Sequence, residues 1–188
     1  MKAASLKEIQ QELAELPKQD LVALCLRLGR FKKENKELLT YLLFEAFDQE
    51  AWVAGIKKDM AEQFEEMNRS TLYFVKKSLR KILRSIGKYG RYSGAPAVEV
   101  QLLLHFFSLT RSHDIDMHGS AALQNLYQNQ EKKIRKLIAG MHEDLQFDYL
   151  KELEFLVQAP EKTSAAKKII SYFQKKKYAK IKEKKTPS

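Results

Sequence analysis

The chain has 188 residues, 44% hydrophobic and 31% charged, a balance that supports a packed core and excludes disorder throughout. Seven glycines and four prolines are too few for the turns of a β-sandwich or barrel, and a single cysteine excludes an internal disulfide. The formal charge of +10 is unevenly placed: residues 69–91 hold eight Lys or Arg and no acid, and residues 161–188 hold ten Lys against Glu161 and Glu183. The rest of the chain is therefore net acidic, and two separate basic segments point to an electrostatic partner more firmly than the bulk charge does.

The opening residues, MKAASLKEIQQEL, turn charged before a signal-peptide core could form. No run approaches the roughly 18 apolar residues of a membrane span. Cys25 lies in an apolar run with Leu21, Leu24 and Leu28, where a thiol is expected to act as a small core hydrophobe. Together these features lead to the expectation of a protein of the reducing cytoplasm.

Ser5 and Glu8 have the spacing of a capping box, and Leu6, Ile9, Leu13 and Leu16 follow at helical intervals, so a first helix is expected to run to Leu16. Pro17 can only open a new helix, expected over Pro17 to Leu28 and closed by Gly29, antiparallel to the first. A third helix is expected over Glu34 to Phe47, where Leu38, Leu39, Tyr41, Leu42, Leu43, Phe44 and Phe47 wrap more than half the circumference and predict a central position. Asp48 is expected to cap a fourth helix, in which Trp52, Ile56, Met60, Phe64 and Met67 recur at steps of three and four.

The fifth helix, Ser70 to about Gly87, divides sharply on a helical wheel. Leu72, Val75, Leu79, Ile82, Leu83 and Ile86 fall within about 100°, and Lys76, Lys77, Arg80, Lys81, Arg84 and Lys88 fill a neighbouring arc of about 140°. Gly87 to Pro96 holds three of the seven glycines and is expected to be a long loop. Pro96 should open a sixth helix, apolar on most sides through Val98, Val100, Leu102, Leu103, Leu104, Phe106 and Phe107, and therefore central. Leu123, Tyr127, Gln130, Ile134, Leu137 and Met141 mark a seventh, a bundle helix, since fewer than three heptads are too few for a coiled coil. An eighth covers Leu145 to Val157, and Pro160 should stop it. Beyond it, Ile169, Ile170, Phe173, Tyr178 and Ile181 could line one side of a lysine-rich arm. No signature of a helical repeat family is present.

Chemical motifs are sparse. Gly87, Gly90 and Gly94 lack the preceding strand of a phosphate-gripping loop. Ser112 to His118 reads SHDIDMH, whose His113, Asp114, Asp116 and His118 would suit a divalent metal, but the spacing matches no ligand loop and a polar turn is the expected reading. Glu65 with Glu66 and Glu143 with Asp144 are neighbours that do not face one another on a helix, and His142-Glu143 lacks the second histidine of a zinc-protease motif. No catalytic residue, metal ligand or cofactor is assigned, and an enzyme is not expected.

The functional candidates are the cations of the fifth helix, Lys76, Lys77, Arg80, Lys81, Arg84 and Lys88, followed by Tyr89, Arg91 and Tyr92, where cations alternate with rings able to stack on bases. In the tail, Lys175, Lys176, Lys177 and Lys180 add a second basic element. The competing reading is that the strip is a solubilising face paired with Glu62, Glu65 and Glu66 of the preceding helix. A tail broken by lysine triplets disfavours membrane docking.

The runs LCLRLGRFKKENKELLTYLLFEA (Leu24 to Ala46), KKSLRKILR (Lys76 to Arg84) and ALQNLYQNQEKKI (Ala122 to Ile134) resemble a group of uncharacterised bacterial all-helical proteins. The resemblance covers most of residues 5–157, implies a single bacterial helical domain and supplies no site residues. The expectation is thus an all-α fold, a single helical bundle or irregular array of about eight helices over residues 1–158, with a basic C-terminal extension over 159–188, partly helical or disordered. Its expected partner is a polyanion, most plausibly nucleic acid, and the alternative is a scaffold or adaptor for an acidic protein.

Overall fold

A computed structural model describes residues 2–117 and 119–158 of the chain. Among these residues every regular element is helical and there is no strand. They fall into two compact units, one within Met1–Gln49 and one within Glu50–Ser188. The expected arm, with Pro160 and the tail lysines Lys175, Lys176, Lys177 and Lys180, lies outside the described residues, as does His118.

In the first unit, α1 spans Leu6–Glu15 behind the expected capping box. The Ser5 amide donates to Glu8 Oε2 at 2.7 Å, and the Glu8 amide donates to Ser5 Oγ at 3.3 Å. The Ser5 backbone bond, helped by the Ser5 hydroxyl, holds the Glu8 carboxyl below the usual carboxylate range. Pro17 caps α2, Lys18–Phe31, which runs straight through Gly29 rather than ending there. The reason lies ten residues on: a Cβ at Gly29 would sit 3.1 Å from Leu39 Cδ1, so the glycine makes room for α3, Lys33–Thr40. Asn35 Nδ2 reinforces the approach by donating to the Leu28 carbonyl at 2.9 Å.

The expected central helix over Glu34 to Phe47 is not continuous. After α3 the chain widens into a π-turn, Tyr41–Glu45, in which the Ala46 amide reaches the Tyr41 carbonyl, and then tightens into a 3-10 turn, Ala46–Asp48. Each change of pitch rotates the side chains away from a 3.6-residue wheel. Tyr41 is buried, but Leu42, Leu43, Phe44 and Phe47 are exposed. Cys25 is likewise exposed instead of in a core: no residue of α2 is buried, and Val22, Leu24, Leu26 and Leu28 are exposed with it.

The second unit is built around α6. Its helices are α4, Gln49–Glu65, α5, Leu72–Ser93, α6, Pro96–Ser112, α7, Ala121–Ala139, and α8, Glu143–Gln158. Pro96 opens α6 at its first turn, where a missing amide costs nothing. Val98, Val100, Leu102, Leu103, Leu104, Phe106 and Phe107 are all buried, as an all-round apolar helix requires. From α4, Phe64 sets its ring edge-on to Phe106. From α7, Tyr127 packs its ring 4.3 Å from that of Phe107. From α8, the Tyr149 hydroxyl accepts from Gln101 Nε2 at 3.1 Å, and Arg111 lies over Phe155 while donating to its carbonyl at 3.2 Å. α5 closes the remaining side through Leu79, Ile82 and Ile86.

Candidate anion-binding face

α5 is a helix of 22 residues, about 33 Å long, longer than its sequence suggested. Gly87 and Gly90 do not open a loop. A Cβ at Gly90 would meet Glu99 of α6 at 2.9–3.1 Å, so this glycine is where α6 crosses close to α5. Two glycines in a helix cost about 1 kcal/mol each in propensity, which interhelical packing offsets. Glu99 is held in place by Lys133 of α7. Termination falls to Gly94, whose φ of 63° is the left-handed cap that favours glycine. The expected Gly87 to Pro96 loop is therefore reduced to the link between α5 and α6, and Lys88, Tyr89, Arg91 and Tyr92 ride on the helix itself.

This extension lengthens the cationic face. Lys76, Lys77, Arg80, Lys81, Arg84 and Arg91 share one side of α5 over about 22 Å. Lys77, Arg80, Lys81, Arg84 and Arg91 are exposed, while Lys76 and Lys88 are half-buried. None of Lys76, Lys77, Arg80, Lys81, Arg84 and Arg91 pairs with a carboxylate among the described residues. The expected pairing with α4 does not occur, because those acids are turned elsewhere: Glu62 faces Lys58 at 3.9 Å and Glu65 faces His113 Nε2 at 3.8 Å.

Arg69 belongs to the same basic segment but not to this face. Its guanidinium donates to the carbonyls of Phe64 and His113 at 3.1 and 3.2 Å and approaches His113 Nδ1 at 2.8 Å, tying the end of α4 to the end of α6. His113 in turn stacks on Phe64. His113 of the SHDIDMH turn is thus a packing residue, and Met117 in the same turn is buried. Among the described residues no group of three or more His, Cys, Asp or Glu is placed to hold a metal ion.

The rings expected to stack on bases are already engaged. Tyr89 packs edge-on to Trp52 at 5.7 Å and to Tyr92 at 6.4 Å, and Lys88 Nζ sits over both tyrosine rings at 5.2 and 5.9 Å. At the opposite end of α5, Tyr73 and Phe74 are exposed, 62% and 39%, and stand outside the packed core. The rings that follow the strip, Tyr89 and Tyr92, are the ones the sequence pattern singles out, whereas Tyr73 and Phe74 precede it. Their wheel positions were available: Tyr73 falls inside the cationic arc and Phe74 at its border.

His105 of α6 is the one strongly shifted imidazole among the described residues. Burial, with Lys57 nearby, pushes its pKa down to about 4, so the ring is neutral at pH 7 and its Nε2 donates to the Lys57 carbonyl at 3.2 Å. No helix among the described residues is long and apolar enough to cross a membrane. No family model matches the chain, and neither the curated proteins nor the solved structures include one similar to it.

Proposed function

We propose that the chain is a non-enzymatic cytoplasmic protein that binds nucleic acid through the cationic face of α5, with the tail lysines Lys175, Lys176, Lys177 and Lys180 adding affinity. One observation carries this reading: six cations on a single helix face, none neutralised by a carboxylate among the described residues. Successive cations at four-residue intervals rise about 6 Å along the axis, close to two steps of a B-DNA strand at about 3.4 Å each, so a row of them can meet a row of phosphates. A rigid helix presents these charges at fixed spacing, whereas surface cations paired with acids would have to exchange partners first.

Titration of labelled DNA and RNA against the full chain at several salt concentrations tests the proposal. Each phosphate contacted contributes about 0.9 to the slope of log affinity against log salt, so six contacts weaken binding about a thousandfold between roughly 50 and 200 mM salt. Replacing Lys76, Lys77, Arg80 and Lys81 with alanine should remove three to four from that slope, as an order-of-magnitude expectation of about 0.9 per cation. No binding at roughly 50 mM salt overturns the reading. Poly-glutamate bound as tightly as nucleic acid would shift it to an acidic protein partner.

A further inference from the structure

We infer that the ligand is single-stranded, and that Tyr73 and Phe74 form a stacking platform for its unpaired bases at the head of the cationic face. The inference rests on the nucleic-acid reading and narrows it. Tyr73 precedes Lys76, Lys77 and Arg80 by three, four and seven residues, and Phe74 precedes Lys77 and Lys81 by three and seven, so each ring heads a row of cations on the same side of α5. The two rings meet edge to face with centroids 5.4 Å apart, and both are exposed, neither belonging to the buried core. Leu72, one residue before them on the apolar side of the helix, is 46% exposed as well, so the start of α5 exposes three apolar side chains next to the cations.

A duplex has little use for such a patch. Its base faces are covered by their neighbours, so a ring outside the helix finds sugar and phosphate. A single strand offers every base for stacking while its phosphates track the adjoining cations, the combination used by proteins that bind unpaired strands. The arrangement therefore suits a strand laid along the outer side of the helix, with bases at the amino end and phosphates toward Arg91.

The test compares a labelled oligothymidylate with a duplex of equal nucleotide number, on the full chain, at matched salt. The single strand should bind more tightly. Replacing both Tyr73 and Phe74 with alanine should weaken its binding about tenfold or more without changing the salt slope, since no charge is lost. The ring-preserving Tyr73→Phe, Phe74→Tyr variant should restore it, and unchanged circular dichroism will show that each variant is folded. Equal affinity for both ligands with a silent alanine variant, while the Lys76/Lys77/Arg80/Lys81 variant still abolishes binding, overturns the platform and leaves the polyanion reading standing. No binding of either nucleic acid overturns both.

Discussion

Glu99 lies across Gly90: a methyl group built on that glycine would stand 2.9 Å from the Glu99 carboxyl carbon and 3.0 Å from its Cβ. The contact couples α5 to α6 and, through the Lys133 ion pair, to α7. Gly90→Ala should therefore destabilise the second unit by about 1–2 kcal/mol, because overpacking outweighs the helix propensity gained. Gly55 in α4 has nothing within 4 Å of its would-be Cβ. Gly55→Ala should stabilise by about 0.5–1 kcal/mol. Urea denaturation of the two variants should move their midpoints in opposite directions.

Acid should weaken the fold through His105. In the folded chain this ring is neutral down to about pH 4, whereas in the unfolded chain it takes up a proton near its ordinary value of 6.5. Between those values the unfolded state binds more protons, so stability is lost as the pH falls through 6.5 and the loss is complete below about 4. The full effect is about 3 kcal/mol. Denaturation midpoints of His105→Gln, which keeps a donor for the Lys57 carbonyl, should fall less steeply over this range than those of the parent chain.

Arg69 and Arg80 should behave differently despite lying in one basic segment. Arg69→Ala removes the donors to Phe64 and His113 and should cost about 1–2 kcal/mol of stability with little change in anion binding. Arg80→Ala, at an exposed position without a carboxylate partner, should leave stability within about 0.5 kcal/mol and lower the salt slope by about one. Paired melting curves and salt titrations would separate the two.

The ring of Phe64 is fully buried between Phe106 and His113. Phe64→Ala should cost about 3–5 kcal/mol and release Arg69 along with it, so hydrogen exchange should rise at the carboxyl ends of both α4 and α6. Loss of protection confined to α4 alone would contradict the link.

Much of this was legible from local pattern. Ser5 and Glu8 announced α1, Pro96 announced α6, and the continuous apolar surface from Val98 to Phe107 marked the centre of the second unit. The charge split of α5 was legible for the same reason, since a wheel needs only residues a few positions apart. What escaped was decided by residues distant in sequence. Gly29 and Gly90 read as punctuation, but Leu39 and Glu99 make them contact points, and nothing beside either glycine carries that information. The apolar run after Leu38 misled differently: a π-turn at Tyr41 breaks the periodicity on which the inference of a central helix depended. The same limit hid the fate of Tyr89, whose partner Trp52 lies on another helix.

The cationic face of α5 also has a mechanical side. Lys76 with Arg80, Lys77 with Lys81, Arg80 with Arg84, and Arg84 with Lys88 are like charges four residues apart, each pair working against the helix by about 0.2–0.5 kcal/mol. The helix is thus held in mild self-repulsion by the packing of its other side. Salt and bound polyanion should both relax it, so melting temperature should rise with ionic strength even as affinity for the ligand falls, and calorimetry beside the binding titration would register the two trends with opposite sign.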